Sequence, residues 1–202
     1  MSALDNQTND IQAVARLKRG DLGGLEALVR RYQVRAVHAA YLIVRDRALA
    51  EDVAQAAFIH AAEKIDQFDD RRPFGPWFLR SVVHAALKAA RRQKRMISLE
   101  ADPADVGFPL ADWLADPTPR PEALVESEET CRAIWQALGQ LSPEQRSAIV
   151  LRHFLEMSEA EMMAELQRPS STVKWWLHTA RQKLRTLLRP WGPAADPEED
   201  RP

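Results

Sequence analysis

Residues 97–127 divide this chain in two. Five of its thirteen prolines fall there, Pro103, Pro109, Pro117, Pro119 and Pro121, and no sustained hydrophobic period runs through the segment. Each proline lacks an N–H and pushes the residue before it toward extended backbone, so the segment reads as a linker. The flanks read the opposite way. Ala, Leu, Arg and Glu dominate them, while the whole chain holds only seven glycines. Those residues lose little conformational freedom in a helix, whereas glycine loses most. The expected fold class is therefore all-α: two small helical domains joined by an extended acidic linker. The expected bounds are a first domain at 10–96, the linker at 97–127, a second domain at 128–190 and a flexible tail at 191–202.

Helical starts and stops fill in the two halves. A first helix is expected to start after Asn9 or Asp10 and end near Gly20, with Asp21 capping a second whose apolar positions are Leu25, Leu28, Val29, Tyr32, Ala36 and Val37. Asp46 marks a break before a third helix, from about Ala48 to Ile65. Pro73, Gly75 and Pro76 precede a basic helix from about Trp77 to Arg95. Past the linker, periodicity resumes near Glu128. Ser142-Pro143-Glu144 is a helix start, and Ser158 with Glu161 forms a capping box for a short helix ending at Leu166. A turn at Gln167-Arg168-Pro169 follows, and Ser170 or Ser171 is expected to cap a long basic helix reaching Arg189.

Charge is sorted along the chain, although the net value is only −1. Residues 71–95 hold eight Lys or Arg and no acid, and residues 168–189 hold six and no acid. Between them, residues 96–130 carry nine Asp or Glu against Arg120 alone. Two basic blocks separated by an acidic one suggest two anion-binding surfaces joined by a segment that repels nucleic acid. Phe108, Leu110, Trp113 and Leu114 give that segment apolar groups to pack on the domains or to meet a partner.

Several classes are excluded. No run of eighteen apolar residues offers a membrane span, and the polar N-terminus lacks a leader's apolar stretch, so a cytoplasmic location is expected. Cys131 is the single cysteine, which rules out an internal disulfide and a multi-cysteine zinc site. His38, His60, His84, His153 and His178 lack metal-ligand spacing, and no phosphate loop or nucleophile motif is present. No cofactor and no enzymatic activity are expected.

Three constellations remain. The short helix, turn and basic helix after Ser158 make a helix-turn-helix, whose second helix enters the major groove by its N-terminal end. That end carries Ser170, Ser171, Thr172, Lys174, Trp175 and Trp176, followed by His178 and Arg181. Hydroxyls and Lys174 reach phosphates or base edges, while Arg181, Lys183 and Arg185 hold the backbone. The first basic block interleaves Phe74, Trp77 and Phe78 with Arg72, Arg80, His84, Lys88, Arg91 and Arg92. Rings beside cations suit unstacked bases, although such rings also serve as ordinary core. On the third helix, Asp52, Gln55, Ile59 and Glu63 share about a quarter of the circumference, opposite an apolar stripe, as a protein-contact face would.

These stretches, in this order, resemble one family. Ala50-Glu51-Asp52-Val53-Ala54-Gln55-Ala56-Ala57-Phe58 is similar to the signature in the second region of extracytoplasmic-function (ECF) sigma factors, members of the sigma-70 family. Phe74 to Arg92 resembles that family's aromatic stretch and promoter helix. Leu141 to Arg146 and Ser158 to Arg185 resemble its fourth region. The resemblance implies a sigma region 2 helical bundle and a sigma region 4 helix-turn-helix. It implies docking of Glu51, Asp52, Gln55 and Ile59 on the β′ clamp helices of core RNA polymerase. Minus-ten DNA would be recognised and opened by the 72–94 stretch, and minus-thirty-five DNA read by the helix-turn-helix near the β flap. The acidic linker would thread toward the active-site cleft, and an anti-sigma factor is an expected partner. His84, Lys88, Met163, Gln167, Ser171 and Trp175-Trp176 depart from the family's usual residues, which implies an unusual promoter sequence. A stand-alone helix-turn-helix regulator would account for residues 130–189 but leaves the first domain and the linker without a role.

Overall fold

The structure, a computed structural model, describes residues 3–97 and 121–191. Residues 98–120 of the expected linker and 192–202 of the expected tail lie outside the described residues. The described residues form helices α1 (Ala3–Lys18), α2 (Leu22–Val44), α3 (Arg47–Glu63), α4 (Phe74–Ile97), α5 (Pro121–Gly139), α6 (Pro143–Ile149), α7 (Glu159–Leu166) and α8 (Ser170–Leu188). No strand occurs among them. This is the all-α architecture expected from the composition.

The caps follow the sequence. Asp21 accepts from the Gly23 amide and Asp46 from Leu49, so both aspartates are N-caps. Ser142 with Gln145 and Ser158 with Glu161 each close a capping box. Four boundaries differ from expectation. α1 begins at Ala3, because Asp10 is not a cap: its carboxylate accepts from Arg31 and from the Tyr32 hydroxyl on α2. α4 begins at Phe74, which puts Pro76 within the first turn, where its missing N–H costs no helical bond. α5 begins at Pro121, so residues 121–127 of the expected linker are helical, again with proline at the opening position. Neither Ser170 nor Ser171 caps α8; Pro169 holds the cap position with no side-chain bond. α6 runs into a π-helical turn at Val150–Phe154, which no sequence signal announced.

α1–α4 enclose an apolar core whose centre is Phe78, Leu28, Ile43, Leu79, Val82 and Val83, all nearly inaccessible. Phe78 stacks on Phe58 with centroids 4.3 Å apart, and Phe74 lies parallel to Phe78 at 5.6 Å. Gly24 lets α2 approach α1 closely: a Cβ there would lie 2.3 Å from the Ala13 carbonyl oxygen. In the second half, Leu151, Met162, Val173 and Leu177 are buried between α6, α7 and α8.

The two halves touch. The buried side chains of α1–α4 and those around Leu151, Met162 and Leu177 belong to one continuous cluster that includes Trp135. Tyr41 on α2 stacks on Trp135 on α5 at 4.2 Å, and the Arg45 guanidinium lies over the same indole at 4.9 Å. Burial raises the Tyr41 hydroxyl to a pKa of about 12. Arg146 on α6 is only 8% exposed. Its Nε donates to the Ile43 carbonyl in the last turn of α2 at 2.7 Å, and its Nη1 to the Leu141 carbonyl at 2.8 Å. The carbonyl end of a helix is electronegative, so a cation suits that position.

Candidate nucleic-acid interface

α4 turns its apolar side inward, burying Phe78, Leu79, Val82, Val83, Ala86, Leu87 and Ala90. The helical repeat then sends Arg80, His84, Lys88 and Arg91 outward along a single stripe. His84, Lys88 and Arg92 are exposed, while Arg80 and Arg91 are partly covered. Arg72 lies just before the helix, exposed, with its Nε 3.8 Å from the Asp69 carboxylate. The Arg71 guanidinium and backbone amide also bond Asp69 and hold its carboxyl below the usual range.

The aromatic part of the expected surface is corrected here. Phe74 is 3% exposed and packs among Tyr32, Phe68 and Phe78, so no base can stack on it. Burying a large ring in the α1–α4 core outweighs any gain from keeping it available at the surface. Trp77 is half-buried, with its ring 4.9 Å from Phe68 and 5.6 Å from Phe74. The stripe on α4 is thus cationic, with one partly accessible indole beside it.

α7, the turn and α8 give the helix-turn-helix. Gln167 adopts the left-handed conformation at φ 50°, and its amide returns to the Met163 carbonyl. α8 buries Val173, Leu177 and Ala180. On the opposite side Ser171, Lys174, His178, Arg181 and Arg185 share one exposed stripe, and Trp175 stands beside it at 60% exposure. Ser170 and Thr172 are half-buried. Lys174 lies 3.7 Å from Glu159, the only acid near this face among the described ion pairs. Among the described residues no side chain caps the N-terminal end of α8, and amides at a helix start suit phosphate.

On α3, Val53, Ala54, Ala57, Phe58 and Ala61 are buried. Glu51, Asp52, Gln55 and Ile59 are exposed, with Ile59 at 54%. Glu51 also pairs with Arg47 at 2.8 Å. Asp52, Gln55, Ile59 and Glu63, the face anticipated from the helical repeat, are therefore presented outward together, with Glu51 exposed beside them.

Two family models match the chain: sigma-70 region 2 over residues 28–96, and sigma-70 region 4 over residues 131–184. The ECF RNA polymerase sigma factor SigW of Bacillus subtilis is 31% identical over 177 residues, spanning 87% of this chain and 95% of its own length. The chain belongs to the ECF group of the sigma-70 family. Sigma factors direct promoter-specific initiation of transcription, and that is the function of this protein. The ECF RNA polymerase sigma-E factor of Escherichia coli is 28% identical over 195 residues, with coverage of 93% of this sigma factor and 98% of that one. Among solved structures, CnrH in complex with the cytosolic domain of CnrY matches at 26% identity and a TM-score of 0.56, covering 91% of this chain and 99% of that one. The sigma factor RpoE of Bartonella quintana, with the anti-sigma factor NepR, shares the fold at 20% identity and a TM-score of 0.57, covering 81% and 96%.

Sequence reasoning missed the contacts between the two halves of the sigma factor. Arg146, Glu144, Glu161 and Glu165 all act across more than fifty residues of chain, and no local pattern encodes such a pairing. No described helix is long and apolar enough to cross a membrane. The described residues contain no cluster of three or more His, Cys, Asp or Glu that could hold a metal.

Proposed function

We propose that this sigma factor divides promoter recognition between its two helical units. Residues 10–96 serve as the polymerase-binding and minus-ten unit, residues 128–190 as the minus-thirty-five unit, and the acidic, proline-rich segment between them as a connector that repels nucleic acid. The observation that carries this reading is the polarity of α8. An apolar stripe at Val173, Leu177 and Ala180 fixes the helix on its domain, so Ser171, Lys174, His178 and Arg181 project together from the opposite side. Lys174 and Arg181 suit phosphate, and Ser171, His178 and Trp175 are placed for base edges and thymine methyls. Ser170 and Thr172 contribute through the free amide end of the helix. On α4, Arg80, His84, Lys88, Arg91 and Arg92, with Arg72 and the accessible edge of Trp77, follow the opened minus-ten strand.

Glu51, Asp52, Gln55 and Ile59 form the contact with the β′ clamp helices of core polymerase, a polar patch with one apolar anchor. The β flap lies beside the helix-turn-helix, and the protein works in the cytoplasm without a cofactor or chemistry of its own. An anti-sigma factor belongs to this reading, supported by the complex of the similarly folded sigma factor RpoE with the anti-sigma factor NepR. Assembly of Asp52→Ala/Gln55→Ala with purified core polymerase tests the polymerase face. The double variant is expected to lose at least about tenfold in affinity, the scale of one strong interfacial contact, with an unchanged helical spectrum. Undiminished assembly would remove these residues from the interface.

A further inference from the structure

Trp175 is the one aromatic side chain among the described residues that stands mostly in solvent, at 60% exposure. Its neighbour Trp176 is half-buried and packs against the apolar core, so that ring serves the fold. Burying an indole brings a large gain, which Trp175 forgoes in the free protein and can recover against a partner. A single exposed apolar residue is ordinary by itself. Its place on α8 is what gives this one meaning.

Successive side chains of a helix are turned by about 100°, so Trp175 and Gln182 point within about 20° of the direction opposite the buried Val173, Leu177 and Ala180. Ser171 lies within about 30° of the same line. Lys174 and Arg181 fall about a quarter-turn to one side of it and Lys183 about a quarter-turn to the other, all of them exposed. α8 therefore carries an uncharged ridge between two cationic flanks. A helix in the major groove needs that order, because the ridge faces base edges and the flanks face the phosphates on either side. The second helix of such a motif enters by its N-terminal end. Trp175 lies in the second turn of α8 and Gln182 nearly two turns further on, so Ser171 and Trp175 are the ridge residues that reach the bases.

The chemistry of the ring then selects among the bases. An indole offers an apolar frame and one N–H donor, and no acceptor. In the major groove thymine presents its C5 methyl beside the O4 acceptor, and it is the only base there with an apolar group. Cytosine sets its N4 amino donor against the indole donor, and the purines give the frame nothing apolar to cover. Resting on the reading of α8 as the minus-thirty-five helix, we propose that Trp175 selects thymine at one position of that element, its ring covering the C5 methyl. The preference at that position is set by a methyl group and not by charge. Lys174, Arg181 and Lys183 contribute affinity on the flanks without information about that base.

The test uses the full chain assembled with core polymerase and duplexes randomised across the minus-thirty-five region, sequenced before and after capture. The parent is expected to enrich thymine at one position where Trp175→Ala shows no preference, while the preferences at other positions persist in both. In the best-bound duplex, deoxyuridine in place of that thymine removes only the methyl. Parent affinity is expected to fall about fourfold, the worth of one buried methyl group. Trp175→Ala is expected to bind the two duplexes equally, and Trp175→Phe, which keeps an apolar ring, to retain part of the difference. The exposure of Trp175 leaves the fold of these variants intact, as an unchanged helical spectrum would show. Parent affinity indifferent to deoxyuridine at every thymine, or the same fourfold loss in Trp175→Ala, would overturn the assignment. So would a Trp175→Ala variant whose preferences weaken equally at all positions. Capture of duplexes by the parent with no preference at any position would instead refute α8 as the minus-thirty-five reader, and the assignment with it.

Discussion

Arg146→Ala is the substitution whose cost follows most directly from the geometry. The guanidinium is almost wholly enclosed, and burial, then the charge of Arg45, pulls its pKa down to about 10. At neutral pH it is still a cation, with two short bonds to backbone carbonyls at Ile43 and Leu141. A hydrogen bond to a charged group contributes roughly 1.5–3 kcal/mol, and truncation also strands two buried acceptors. Against this, the alanine no longer needs a desolvated charge, which returns part of the loss. The expected net destabilisation is about 3 kcal/mol. In urea, with a slope of about 1–3 kcal/mol per molar, that moves the midpoint down by at least about 1 M. Tryptophan fluorescence is the suitable probe, because Trp135 sits at the same junction under Arg45 and against Tyr41. Arg146→Lys keeps the charge but not the planar fork and is expected to recover less than half of the loss. Arg132→Ala, on an exposed position of α5, is the control, expected within about 0.5 kcal/mol of the parent. An Arg146→Ala midpoint no lower than that of Arg132→Ala would show that the pinning of α6 to α2 carries no weight.

Three further outcomes are expected. Gly24→Ala places a methyl 2.3 Å from the Ala13 carbonyl oxygen and 2.7 Å from the Leu17 amide nitrogen, so α1 must shift. A loss of about 1–3 kcal/mol and a thermal midpoint lower by at least about 2 °C follow, whereas an unchanged or raised midpoint would mean that helix propensity wins. For Glu144, burial works to raise the carboxyl, but the Arg91 hydrogen bond, its own backbone amide, the Arg91 charge and Ser142 together hold it below the ordinary 4.5. A depressed carboxylate stabilises above its unfolded value and ceases to as pH falls through the folded one. The stability difference between the parent and Glu144→Gln is therefore expected in full at pH 6 and gone at strongly acidic pH; a difference independent of pH would contradict this. Lys174→Ala is expected to weaken binding of the polymerase complex to minus-thirty-five duplex and to make its salt dependence shallower by about one charge. A slope equal to the parent's would place Lys174 away from phosphate.

Local physics made much of this protein legible from its residues. Asp21, Ser142 and Ser158 cap helices as their sequence context indicates, and Asp46, legible only as a break, caps α3, because a cap needs only the next three residues. The α3 face and the α8 stripe emerge from helical repeat alone. What failed needed tertiary knowledge. Asp10 reads as a cap until Tyr32 and Arg31 claim it from α2. Phe74 reads as a stacking ring until the α1–α4 core encloses it. The Arg146 pin depends on how α6 meets α2, which no window of sequence contains, and the π turn at Val150–Phe154 has no local signal either. The carboxylates facing α4 were equally invisible, since Glu144, Glu161 and Glu165 read locally only as helix-start or helix-surface acids.

The most direct test of the central claim is run-off transcription by purified core RNA polymerase on a library of promoter fragments, with and without this protein. Initiation from a defined subset of fragments, dependent on the protein and sharing minus-ten and minus-thirty-five elements, is the expected result. No dependent initiation despite stable assembly with core enzyme, or tight duplex binding without any assembly, would contradict it.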